Sequence, residues 1–222
     1  MQTSLDQDKI LKYLALQLST TFPDGNNLND LAQVVPKALN KLSHCFTNSI
    51  YTQNYRDGQC YFDHLNADQY VIFVYYCSTI SFFDFSNSVL ATKLFYLNKV
   101  LHSFHCMFDT ILPEIFLILH GAGIVLGKAS YADNLVVMHG CTVGANKNFE
   151  TPTLGKYLLM YPNSSIIGKC NIGDNVCIAN GAFLKDEIIA SNSVVFGSSP
   201  NLIIKPNKKE RLSAVYDIGS LI

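Results

Sequence analysis

The chain has 222 residues, a formal net charge of −1 at pH 7 and a 49% share of hydrophobic residues. That length allows one or two domains with a real core. The balanced charge excludes the strongly basic surface that holds nucleic acid or an anionic membrane. Seven cysteines, at irregular spacing and with no C-x-x-C, fit reduced thiols in a cytoplasmic protein. The first nine residues are polar and carry acids, unlike a secretory signal. The most apolar run, residues 70–85, is broken by Ser78, Thr79, Ser81 and Asp84, so it reads as a buried helix and not a membrane span.

In chain order, residues 4–20 predict a helix with Ile10, Leu11, Leu14 and Leu18 on one face, ended by Pro23-Asp24-Gly25. A second helix is expected over 28–46, with Pro36 able to kink or split it. Residues 47–66 read as loop with a turn at Asp57-Gly58. Asn66 is placed to cap a helix over 67–80, and Asn87 or Ser88 another over 89–107. Near Ile111 the texture changes: glycine and β-branched residues rise and helical periods stop.

From residue 154 the apolar positions recur every six: Leu154, Met160, Ile166, Ile172, Ile178, Leu184, Ala190 and Phe196. A second series, mostly small or β-branched, runs two positions earlier, through Pro152, Leu158, Ser164, Cys170, Val176, Ala182, Ile188 and Val194. Neither a helical period nor simple alternation produces this, whereas a parallel β-helix of hexapeptides does. Three hexads close one coil, so residues eighteen apart should stack: Leu154 with Ile172 and Ala190, Met160 with Ile178 and Phe196, Ile166 with Leu184. Earlier hexads are traced through Val125, Tyr131, Val137 and Val143. Residues 145–153 interrupt them as a polar loop thrust out between coils. Gly155, Gly168, Gly173 and Gly181 read as corner residues, and Lys205, Lys208, Lys209 and Arg211 crowd a C-terminal tail.

Three strings occur in a telling order: His120-Gly-Ala-Gly-Ile-Val-Leu-Gly127, then Gly140-Cys-Thr-Val-Gly144, then the hexads up to a Ser-Pro exit at Pro200. Over residues 104–205 they resemble the serine acetyltransferases, hexapeptide-repeat acyltransferases with an N-terminal helical domain and a left-handed parallel β-helix. The resemblance implies the α+β fold class and a division into a helical domain (1–108), a left-handed β-helix acyltransferase domain (109–204) and a tail (205–222). Left-handedness comes from the resemblance alone, because parallel crossovers are ordinarily right-handed.

The family moves an acetyl group from acetyl-CoA to a hydroxyl, at sites between subunits of a trimer. Its general base falls on His120. An imidazole can take the proton that keeps an alcohol from attacking a thioester, an effect commonly worth ~10²- to 10⁴-fold. Three positions depart from the family. Leu119 replaces the aspartate before the base, His105 replaces the aspartate that orients it, and Thr151 replaces a second histidine after the loop. The expected acceptor is therefore a different hydroxyl, on a sugar or a modified amino acid, with Leu119 and Thr151 at its site. His105, Asp109 and His139 are candidate supports for catalysis, and Glu114 is a second candidate carboxylate. The resemblance puts the acetyl-CoA contacts at Gly144, Ala145, Pro162 and Asn180, with Lys205 and its neighbours facing the phosphates. Pro162 has no N–H to donate. His44, His64 and His102 read as surface or packing residues, and Cys170 and Cys177 as small coil residues. A homotrimer is expected, with no nucleic-acid partner, no membrane span and no metal. Two alternatives stay open: a non-catalytic homologue of the fold, and a zinc enzyme of the carbonic anhydrase type, which needs three histidines where the repeats hold two.

Overall fold

The structure, a computed structural model, describes residues 1–25, 28–49 and 54–208. Its first part holds helices α1 (Gln7–Thr21), α2 (Leu28–Asn48), α3 (Ala67–Phe83) and α4 (Ser88–His102). Side-chain oxygens cap three of them: Asp6 accepts from the Lys9 N–H, Asn66 from those of Asp68 and Gln69, and Asn87 from that of Leu90. Helix α2 runs unbroken through Pro36. Helix α3 is buried on every side, which explains its lack of a polar face. None of the helices, among the described residues, is long and apolar enough to cross a membrane.

Two sequence expectations shift here. Part of the 47–66 loop is a small sheet: β2 (Tyr55–Arg56) and β3 (Gln59–Phe62) form a hairpin, and β1 (Gln2–Thr3) adds a parallel strand. Asp57 and Gly58 are its turn, with φ of 51° and 74°, the geometry a two-residue hairpin prefers. Helix α4 also stops at His102, five residues early. Ser103 turns left-handed, and the next two residues leave to pair with the solenoid.

That solenoid consists of three parallel ladders. The first holds β5 (Phe116–Leu119), β8 (Leu135–Met138), β11 (Leu159–Met160), β14 (Cys177–Ile178) and β17 (Ser193–Ser198). The second holds β4 (Phe104–His105), β6 (Ile124–Leu126), β9 (Thr142–Gly144), β12 (Ser165–Ile167) and β15 (Phe183–Lys185). The third holds β7 (Ser130–Tyr131), β10 (Thr153–Leu154), β13 (Asn171–Ile172) and β16 (Ile188–Ile189). A last strand, β18 (Asn201–Pro206), turns back antiparallel along the whole of β17.

Leu154 pairs with Ile172, Met160 with Ile178 and Ile166 with Leu184, each eighteen residues apart as the hexad period requires. Tyr131–Leu154, Val137–Met160 and Val143–Ile166 are instead twenty-three apart, so the loop after β9 inserts five residues into one coil. The period then slips. Ile172 pairs with Ile189 and Ile178 with Val195, one residue short of a full coil. Ala190 and Phe196 are therefore exposed, and Ile189 and Val195 fill the core in their place. A separate one-residue shortening earlier in the chain, where Leu126 pairs with Val143 seventeen residues on, puts Leu126 inside and Val125 outside.

The bends use left-handed residues, and many are not glycine: Asn134, Asn163, Asn175, Asp186 and Asn192 all have positive φ. Asn and Asp tolerate this region better than other side chains. Gly168 and Gly181 share that conformation, but Gly155 and Gly173 do not. Those two allow close stacking: a Cβ on Gly155 would lie 2.5 Å from the Gly173 carbonyl oxygen, and one on Gly173 2.5 Å from the Ser191 nitrogen.

Helices and solenoid share one apolar core. Phe116 of β5 meets Tyr75 and Tyr76 of α3 edge-on, at centroid distances of 5.7 and 5.8 Å. The Cys45 thiol on α2 donates to the Phe116 carbonyl at 3.1 Å. All seven cysteines are buried and none forms a disulfide.

Candidate functional site

His120 sits where the chain leaves β5 and bends toward β6. It is exposed, and its φ of 54° is left-handed. Histidine in that region is uncommon and strained by about 1–3 kcal/mol. A carboxylate from outside the solenoid holds it there. Asp68, in the first turn of α3, accepts the His120 N–H at 2.7 Å with Oδ2 and the Gly121 N–H at 2.8 Å with Oδ1. Both oxygens of one charged group thus clamp two successive amides, a strong arrangement.

His139 takes the same bend one coil later, because Leu119 pairs with Met138 across the ladder. Its carbonyl accepts the Asn163 N–H at 2.9 Å, and the Gly140 N–H next to it donates to the Ala122 carbonyl at 2.8 Å. Pro162 and Asn180 follow β11 and β14 at the next two bends of this edge. The edge therefore carries His120, His139, Pro162 and Asn180 in successive coils.

His105 lies one ladder over, opposite Val125, with its ring edge-on to Phe95 at 5.2 Å. Partial burial, and then the Lys99 charge, pull its pKa below the usual histidine value. Asp109 is turned elsewhere: its Oδ2 pairs with the Lys128 ammonium at 2.9 Å. Glu114 pairs with His44 at 3.4 Å. Both candidate carboxylates are engaged away from the His120 turn.

Leu119 is buried, in the wall of a void of about 30 Å³ that Asn54 and Asp68 also line. That volume suits one water. The Asn54 Nδ2, buried there with no hydrogen-bond partner, is a donor such a water would satisfy. Thr151 is exposed at the foot of the inserted loop. The loop folds around Asn146, whose side chain accepts from the N–H groups of Asn148 and Glu150 and donates to Glu150 and to Asp186 on a later coil. Phe149 stands at its tip, 89% exposed.

Gly144 ends β9 on the outer side of the second ladder, and exposed Ala145 follows it. Lys205 lies in β18 with its ammonium 5.6 Å from the centre of the Phe196 ring. Lys208 is exposed, and Lys209 and Arg211 lie outside the described residues. Burial raises the thiol pKa values of Cys141 and Cys170, which suits packing and not nucleophilic attack.

The same architecture occurs in solved structures. Serine acetyltransferase from Neisseria gonorrhoeae superposes with a TM-score of 0.71 at 18% identity, covering 94% of this chain and 85% of that one. The chain has the serine acetyltransferase fold. Its left-handed parallel β-helix follows four helices, as in that fold. Soybean serine acetyltransferase complexed with serine matches at 17% identity and a TM-score of 0.71, over 90% of this chain and 85% of that one. The Brucella abortus serine acetyltransferase in complex with coenzyme A matches at 16% and 0.69, over 91% and 83%. No family model matches the sequence, and no curated protein sequence does.

The repeats and the His120 turn are legible in the sequence. Asp68 is not. An acid in the first turn after an Asn cap reads as ordinary helix-end electrostatics, and nothing local shows that it reaches a turn fifty-two residues away.

Proposed function

We propose that the protein is an acetyl-CoA-dependent O-acetyltransferase acting on a small-molecule hydroxyl, with His120 as general base. One observation carries the reading. An exposed histidine is held in a strained bend by a carboxylate clamp, at the edge of a fold whose solved examples include an acetyltransferase with coenzyme A.

In this reading the acceptor O–H gives its proton to the His120 imidazole as its oxygen attacks the thioester carbonyl. The tetrahedral adduct carries its negative charge on the former carbonyl oxygen, where backbone N–H donors stabilise it. Collapse breaks the C–S bond, and the leaving thiolate takes the proton back from the imidazolium. The pantetheine arm runs along the outer side of the second ladder, past Gly144, Ala145 and Asn180. Pro162 offers it only a surface. Lys205 and Lys208 face the phosphates. His139 and His105 flank the acceptor side. Leu119 and Thr151 stand where serine-using relatives carry charged or basic groups, so a sugar or modified amino-acid hydroxyl is the better acceptor.

The chain assembles as a homotrimer in the cytoplasm, with clefts completed by a neighbour. Acetyl-CoA-dependent thiol release across a panel of amino acids and sugars tests the reaction. His120→Ala should lower the rate by ~10²- to 10⁴-fold with the circular dichroism unchanged. An unaffected rate in that variant overturns the assignment of the base. A monomer by light scattering overturns the shared cleft.

A further inference from the structure

A second cavity lies at the other end of β5. Its volume is about 570 Å³, within the range of small-molecule sites. The His120 bend follows the end of β5, whereas this cavity opens beside residues 111–114, before the strand begins. Four residues of strand separate the two by roughly 13 Å, so it is not the site already described.

Three pieces of chain build it. Helix α3 gives Tyr75, Tyr76 and Phe83, residues 111–114 close one side, and one face of α2 gives Lys41 and His44. The wall is organised in advance. The Tyr75 hydroxyl donates to the Thr110 carbonyl and accepts the Leu112 N–H, each at 2.9 Å. The Tyr76 hydroxyl donates to the Glu114 carbonyl at 3.3 Å. These bonds use the phenolic polar groups, and both tyrosines are buried, so the space meets chiefly the half-exposed Phe83 ring and the exposed Ile111 side chain. At the rim, His44 and Glu114 occupy each other at 3.4 Å. Lys41 is exposed and makes no ion pair among the described residues.

We propose that this cavity binds a small organic anion with an aromatic body, its ring against Phe83 and Ile111 and its acidic group on the Lys41 ammonium. A flat apolar body matches the Phe83 ring and the Ile111 side chain, and a carboxylate or sulfonate meets the rim cation that makes no ion pair among the described residues.

The test uses the full chain and the fluorescent aromatic sulfonate 8-anilinonaphthalene-1-sulfonate. Saturable binding of one probe per chain is expected, with 3-phenylpropionate displacing it and 3-phenylpropionamide not. Lys41→Glu and Ile111→Asp, both surface changes, should each weaken the probe by about tenfold or more while acetyl-CoA-dependent thiol release stays unchanged. Equal probe affinity in both variants, or no saturation, overturns the proposal. Displacement by the amide as readily as by the acid overturns the assignment of an anion. A lower particle mass for Ile111→Asp by light scattering, with probe binding intact, reassigns this mouth to a contact between subunits and also overturns it.

Discussion

Asp68 is the residue on which the candidate site turns. The carboxylate that the resemblance leads one to expect before the histidine is absent, since Leu119 fills that position. A carboxylate nevertheless reaches the same turn, from a helix. Asp68→Ala leaves two amides without their charged acceptor and a left-handed histidine without its restraint. Turnover should fall by ~10- to 100-fold, because a small misplacement of a catalytic group is enough for that. The KM for acetyl-CoA should stay within about twofold, because the Asp68 carboxylate bonds the His120 and Gly121 backbone amides and none of the residues proposed to hold acetyl-CoA. A KM change with turnover preserved would place Asp68 on a substrate instead.

His102 gives a second prediction at this scale. Burial lowers its pKa from 6.5 to about 4, with the nearby Asp68 charge opposing. Its ring nitrogen bonds the Asn98 side chain at 2.7 Å, and Asn98 in turn holds the Val71 carbonyl at 3.0 Å. Between pH 6.5 and 4 the unfolded chain binds the proton that the folded one refuses. Stability from this group is thus full above 6.5 and is lost as pH falls toward 4, by roughly 2 kcal/mol after allowing for the ring's partial exposure. Urea unfolding of His102→Gln should show a flatter pH dependence across that window.

Among the elements, the coils show why a repeat is easier to find than to phase. The six-residue period placed Leu154 through Leu184 inside, and they are inside. It failed at Ala190 and Phe196 because one bend, between Leu184 and Ile189, is a residue shorter. The core tolerates this, since what must align is strand against strand and the bend absorbs the difference. Its tolerance of added volume is smaller. Gly173→Ala forces a methyl to 2.5 Å from the Ser191 backbone nitrogen and should destabilise by ~1–3 kcal/mol. Gly181→Asn, in a left-handed bend with nothing within 4 Å of a Cβ, should change stability by under ~1 kcal/mol. Chemical denaturation of the pair separates close stacking from backbone conformation as the reason for glycine.

The two halves of the whole molecule meet through Phe116, between the α3 tyrosines and under the Cys45 thiol. One continuous core predicts one unfolding transition, coincident at helical and strand wavelengths. Phe116→Ala should move both together, by ~3–5 kcal/mol. Two separate transitions would show halves that fold independently. This junction could not be read from the sequence. Aromatics in α3 announce burial but not against what, and Phe104 and His105 look like the end of a helix until a strand far along the chain is there to take them. The repeats were legible because each coil restates the same local rule. The clamp and the junction each occur once, so no pattern repeats to reveal them.

The reversal at β18 has a consequence beyond its own hydrogen bonds. A stack of parallel coils has no intrinsic end: its last rung offers the same pairing groups as every rung below, to any copy that arrives. Here the chain folds back over all six residues of β17, the last strand of the first ladder, so on that face an incoming coil meets a backbone running the wrong way, with Pro206 unable to donate. Length is thus capped by direction. A chain cut after Ser198 should lose its stopper and grow into fibres visible by electron microscopy, where the intact protein stays discrete.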